Sequence, residues 1–124
     1  GLCRVFQFDG STWNQKGQTI NGEVASDWSG YSVALSGNGD IVIIGAGFND
    51  GNGANSGHAR VYEYVATSSI WVQLGQSLVG KAAGDGFGWS VGISDDGSRV
   101  IGGAPEDNGV DAGHAVVYQL MSST

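Results

Sequence analysis

An all-β fold, built from repeated four-stranded units, is predicted by three features of this sequence. Glycine supplies 23 of 124 residues and proline only 1, a balance that suits tight turns. Short runs rich in Val, Ile and aromatic residues recur between the glycines, as strands should. The chain also repeats itself: "SGYSVALSGNGDIVIIGAG" at 29–47 returns as "FGWSVGISDDGSRVIGGAP" at 87–105, and a fixed spacing marks a repeat architecture.

The repeat extends beyond those two passages. Gly17-Gln18-Thr19-Ile20 pairs with Gly75-Gln76-Ser77-Leu78, an offset of 75 − 17 = 58. The same offset carries Gly22 onto Gly80, Asp27 onto Asp85, Gly30 onto Gly88 and Tyr31 onto Trp89. Ser32-Val33 falls on Ser90-Val91, and Gly45-Ala46 on Gly103-Ala104. Beyond the next loop the offset is 114 − 58 = 56, where "GHARVYEY" (57–64) meets "GHAVVYQL" (113–120). A partial copy opens the chain: "CRVFQF" (3–8) matches "ARVYEY" (59–64), and Trp13-Asn14-Gln15 matches Trp71-Val72-Gln73. Residues 1–16 are thus the second half of a unit, 17–74 a complete one, and 75–124 most of another.

The complete unit reads as four strands. "YSVALS" (31–36) alternates at period two. "GNGD" (37–40) is a turn, with Asn38-Gly39 suited to a hairpin, and Asp96-Gly97 fills the same place in the next unit. "IVIIGA" (41–46) is unbroken and apolar, as a strand buried on both faces should be. A glycine-rich loop (47–57) leads to "ARVYEY" (59–64), and "IWVQL" (70–74) is the fourth strand. Segment 75–86 is expected to carry the chain to the next unit. Four antiparallel strands per unit, with a period in the fifties, predict the blades of a β-propeller, about two in this chain. Ser32, Ala34, Gly45 and Ala46 are small enough for the crowded inner strands. Trp13 and Trp71 are expected on the outer strand, covering the flank of a blade as core residues.

The pairing of Phe87-Gly88 with Gly103-Ala104-Pro105 resembles the FG-GAP repeat, as found in the propeller of integrin α-subunits; Ser29-Gly30 and Gly45-Ala46-Gly47 form a degenerate copy. The resemblance implies a scaffold that binds other molecules at a propeller face, at the cell surface or outside the cell. It implies no catalysis. The calcium loop common in that family is not carried over, because Gly37–Asp40 and Asp95–Ser98 are too short to wrap six or more oxygens around the ion.

Composition narrows the classes further. The net charge is −7, and the five basic residues, Arg4, Lys16, Arg60, Lys81 and Arg99, are scattered, which argues against nucleic acid. No run of about 18 apolar residues suggests a membrane span. Cys3 is the only cysteine, so neither an internal disulfide nor a Cys/His zinc spacing arises. The loops 47–58 and 105–114 offer Asp50, Asn52 and Asn55, and Glu106, Asp107 and Asp111, as oxygen donors. Asx-type turn bonding is the expected use of these groups, and calcium there is left open. His58 and His114 are expected to anchor those loops by a hydrogen bond. Asp27 and Asp85 should hold the crossing between blades. Ser32 and Ser90 lack a nucleophile-elbow context.

These readings assign no catalytic, cofactor or metal residue. They predict a non-enzymatic structural or protein-interaction scaffold. The alternatives are a glycan-binding module that uses Trp28, Trp89 or Phe48 as stacking platforms, and a propeller-based polysaccharide-active enzyme. Two blades alone would leave apolar flanks and strand edges open. The expected partners are therefore other blades of a longer polypeptide, with a homo-oligomeric ring as the second arrangement.

Overall fold

The structure, a computed structural model, describes residues 1–105 and 113–120, and these form strands and turns with no helix among them. In chain order the strands are β1 (Leu2–Cys3), β2 (Phe6–Phe8), β3 (Trp13–Gln15), β4 (Ile20–Asn21), β5 (Ser32–Leu35), β6 (Ile41–Ala46), β7 (His58–Val65), β8 (Ile70–Gln73), β9 (Leu78–Val79), β10 (Ser90–Ile93), β11 (Arg99–Ala104) and β12 (His114–Gln119). All the pairings between them are antiparallel.

The complete unit is the sheet β5-β6-β7-β8, in sequence order. β10-β11-β12 repeats its first three strands, and Ser32↔Gly45 in one sheet matches Ser90↔Gly103 in the other. The opening of the chain repeats the outer half: Phe6↔Gln15 in β2-β3 is the counterpart of Tyr62↔Gln73 in β7-β8. These are propeller blades. The predicted turns are present: Gly39 N–H donates to Ser36 and Gly97 N–H to Ser94, each at 2.9 Å. Asp96 accepts from the Ser98 N–H and from the Ser98 and Ser94 hydroxyls. These bonds, the Ser98 N–H foremost, hold its carboxyl at about 2.

One expectation needs correction. Segment 75–86 is more than a connector, because β9 adds to the start of β7 through His58↔Val79 and Ala59↔Leu78. β4 adds to β1 in the same way. A pairing two residues long leaves no periodicity to read.

The apolar pattern explains how the blades stack. Successive side chains of a strand point to opposite faces, and β6 feeds two cores. Ile43 joins Ala59, Val61, Phe87, Val100 and Ala104 between the complete blade and the one after it. Val42 and Ile44 join Ile20 and Trp71 between the complete blade and the one before it. Hence β6 is buried along nearly its whole length, as an unbroken apolar run requires.

The degenerate copy now has a physical account. Phe87 is 1% exposed and lies over Gly102 so closely that a Cβ there would sit 2.4 Å from the ring. At the offset of 58 these positions are Ser29 and Ile44. Ser29 and Ile44 line the same crevice, with Ile44 supplying the bulk that Ser29 lacks. One junction pairs large with none, the other small with large, and volume is kept near constant as close packing demands.

Trp71 is buried at 3% exposure, but Trp13 is 68% exposed. The expectation that both cover a packed flank holds for Trp71 and fails for Trp13. The cover over Trp71 is Lys16–Gln18: the indole N–H donates to the Lys16 carbonyl at 2.7 Å. Among the described residues Trp13 has no such cover, and its indole packs against Phe8, ring centroids 5.2 Å apart.

Candidate functional site

Two regions collect the residues singled out in the sequence: the junction between the last two blades, and the face above it.

The junction is held by backbone. Gly84, Gly86 and Phe87 N–H groups donate to Ala54, Asn55 and Ser56 carbonyls at 2.8, 3.0 and 2.9 Å. Ser32 Oγ donates to the Gly88 carbonyl at 2.7 Å, which ties one inner strand to the lead-in of the next. A Cβ on Gly45 would lie 2.0 Å from that same carbonyl oxygen, so the small inner residues are needed where blades meet. Ser90 holds the equivalent place in the next blade and is exposed.

Asp27 and Asp85 are both buried. Asp85 accepts the Ala82 N–H at 3.1 Å, a local turn bond of the expected kind. Asp27 instead accepts from the side-chain amide of Asn49 at 2.7 Å. Asn49, itself buried, also donates to Glu23 and accepts the Gly51 N–H. This residue escaped the sequence reading, because its counterpart at the offset is Asp107, a different side chain in a loop of changed length. Asp50 accepts the Asn55 N–H, and Asn52 donates to the Gly80 and Lys81 carbonyls. Glu106, Asp107 and Asp111 lie outside the described residues.

Among the described residues the His58 side chain makes no hydrogen bond to the loop 47–57, which is held by the backbone bonds just described. His114 Nδ1 is buried with no hydrogen-bond partner among the described residues, and most of the loop it was expected to anchor lies outside them. His58 is buried beside Arg60, Glu23 and Asp27. Burial first, and the Arg60 charge second, hold its pKa below the ordinary 6.5, against the opposing pull of Glu23 and Asp27. The unfolded chain therefore takes up the proton before the folded one does. The stability that neutral His58 contributes is complete above about pH 6.5. It is lost as the pH falls through the folded value. We expect urea midpoints that decline from pH 7 to 5, and a shallower decline in His58→Gln. Equal slopes in the two proteins would refute this.

Above the junction four aromatic rings close a circuit. Trp28 meets Phe48 edge-on at 4.8 Å and Tyr31 at 5.5 Å; Trp89 meets Tyr31 at 5.1 Å and Phe48 edge-on at 5.6 Å. Such contacts each contribute about 0.5–1.5 kcal/mol beyond burial. The structure thus brings together Trp28, Phe48 and Trp89, and adds Tyr31, whose repeat partner is Trp89. Trp28 and Tyr31 remain 50% and 55% exposed. A cavity of about 450 Å³ lies beside the rings, lined by Phe48, Trp89, Asn55, Asp85 and Pro105 among others. A second of about 290 Å³ shares Phe48 and Asn55.

Trp28 is held at φ +64°, a left-handed backbone that costs a side-chain-bearing residue roughly 1–2 kcal/mol. At the offset of 58 the other unit has Gly86 at φ +67°, the residue that adopts this conformation freely. An indole thus occupies, half exposed, a place where glycine serves in the neighbouring blade. Strain of this kind gathers at functional sites.

A family model described as FG-GAP repeat matches residues 19–62, from β4 into β7. No curated protein matches the chain.

Proposed function

Residues 19–62 carry an FG-GAP repeat, and from this premise we propose that the protein is a non-enzymatic interaction scaffold. It resembles the integrin α-subunit type and acts at the cell surface or outside the cell. Among the described residues no helix is long and apolar enough to cross a membrane. The observation that carries the reading is where the recurring polar groups go. Ser32 donates across the junction, and Asp85 accepts from the lead-in turn. A polysaccharide-active enzyme would instead concentrate unlike polar groups in one unit around an open cleft. The scaffold needs no cofactor, and its partners are further blades of the same kind together with a protein ligand.

The aromatic circuit favours one second reading, a glycan-binding face. Pyranose rings present C–H faces that pack on exposed indoles, and cavities of this size suit small ligands. Among the described residues no Lys or Arg lines either cavity, which favours a neutral sugar over an anionic one. A glycan array, run with and without calcium, tests this reading against the scaffold alone. Trp28→Gly should be about 1 kcal/mol more stable than Trp28→Ala, since both lose the ring contacts and only glycine releases the left-handed strain, and both should abolish any sugar binding. Equal urea midpoints for the two variants would refute the strain argument.

A further inference from the structure

We infer that Asn38 is a modification site: its side-chain amide is lost through attack by the Gly39 backbone nitrogen, and the turn already holds a seat for the aspartate that results. The inference is independent of both the scaffold and the glycan readings.

The chemistry belongs to asparagine before glycine. The glycine nitrogen loses its proton to solvent and attacks the asparagine Cγ. A C–N bond forms, and the side-chain nitrogen leaves as ammonia. The cyclic succinimide then takes up water and opens to aspartate or to isoaspartate. Water is the only co-reactant, and nothing is oxidised or reduced. Glycine favours the attack because it has no Cβ to crowd the nitrogen. Four asparagines of this chain precede glycine: Asn21, Asn38, Asn52 and Asn108, the last outside the described residues.

The structure separates the other three. Asn21 lies in β4, where its backbone is paired with Leu2. Asn52 donates its side-chain N–H groups to the Gly80 and Lys81 carbonyls, at 2.8 and 3.0 Å. Its Cγ cannot turn towards the Gly53 nitrogen without breaking both bonds. Asn38 is exposed in the turn between β5 and β6, and among the described residues its Nδ2 donates to nothing. Its Oδ1 accepts the Ser36 hydroxyl at 2.9 Å and the Asp40 N–H at 3.0 Å. Negative charge develops on that oxygen as the nitrogen adds, and two fixed donors stabilise it as an oxyanion hole does. The Gly39 N–H must first release the Ser36 carbonyl, 2.9 Å away; the Gly22 and Gly53 N–H groups are bonded in the same way, to Gly1 and Asp50. That cost therefore favours none of the three.

The seat for the product is visible in the next unit. Asp96 stands at the offset of 58 from Asn38. It accepts the Ser94 hydroxyl at 2.8 Å and the Ser98 N–H at 2.9 Å, the same bonds that Ser36 and Asp40 give Asn38. Aspartate at 38 thus inherits a tested arrangement. Isoaspartate instead adds a methylene to the backbone of the turn that sets the register Leu35↔Val42. β6, which leaves that turn, feeds both cores. One product is kept by the fold and the other strains it.

The intact chain is aged in mildly alkaline buffer, with and without urea, then digested, and each Asn-Gly peptide is followed by mass spectrometry. In the folded chain Asn38 should convert about tenfold or more faster than Asn21 or Asn52, as expected from the hydrogen bonds those two must break. Urea should erase that lead. Ser36→Ala should slow Asn38 in the folded chain and leave its rate in urea unchanged. The inference is overturned if Asn21 or Asn52 keeps pace with Asn38 in the folded chain, if Asn38 reacts only in urea, or if Ser36→Ala fails to slow it. Asn38→Asp supplies the uniform product, and it should keep the parent's near-UV circular dichroism and urea midpoint. A lowered midpoint in that variant removes the seat and the inference with it.

Discussion

Phe87→Ala should remove about 3–5 kcal/mol of folding free energy, the range for deleting a large aromatic from a core. Against a total of roughly 5–15 kcal/mol for a domain, that is a large share of the stability. The reason is specific to the site. Phe87 touches Tyr118 edge-on at 6.4 Å and rests on Gly102, which has no side chain with which to fill the void. Its core partners, Ile43 and Val61 on one blade and Val100 and Ala104 on the next, would lose their common contact. Collapse is limited because the backbone of residue 87 is itself fixed, by its N–H bond to Ser56. Urea denaturation measures the loss. A cost under about 1.5 kcal/mol would mean that the junction repacks freely, and the account of volume exchange between Phe87/Gly102 and Ser29/Ile44 would fail with it.

Gly88→Ala is the second large effect. Gly88 has φ +91°, and a Cβ there would lie 2.2 Å from the His58 carbonyl oxygen. The left-handed backbone costs roughly 1–2 kcal/mol, and forcing the blades apart adds about 1–3 kcal/mol. Gly75→Ala is the matched control, since it shares the left-handed backbone but meets nothing within 4 Å. The difference between the two variants isolates the inter-blade contact. If they cost the same, the close approach of Gly88 to His58 has no energetic weight. The first junction has the same construction: Gly30, at φ +93°, faces the Leu2 carbonyl as Gly88 faces that of His58. The Gly of the Phe-Gly pair is therefore required by backbone contact, whereas its Phe is negotiable if the opposite strand compensates.

Much of the fold was legible because strand chemistry is local. "IVIIGA" at 41–46 coincides with β6 to the residue, and the turns at Asn38-Gly39 and Asp96-Gly97 follow from what those residues can do alone. The two-residue strands β4 and β9 were not legible, because their pairing is set by where β1 and β7 already lie. The candidate face was half legible. Trp28, Phe48 and Trp89 were singled out as stacking platforms, but their closure into a circuit with Tyr31 depends on the approach of two blades far apart in sequence.

By itself the sequence determined the strands, the turns, the repeat and its offset, since each is a property of neighbouring residues or of a pattern written twice. Only the tertiary structure decided that Trp71 is covered while Trp13 is bare, that Asn49 rather than a backbone group answers Asp27, and that Trp28 stands where Gly86 would be relaxed. The physical reason is common to all three. Identical local chemistry takes on different environments according to which remote segment packs against it, and that is fixed by the stacking of blades and not by the residues themselves.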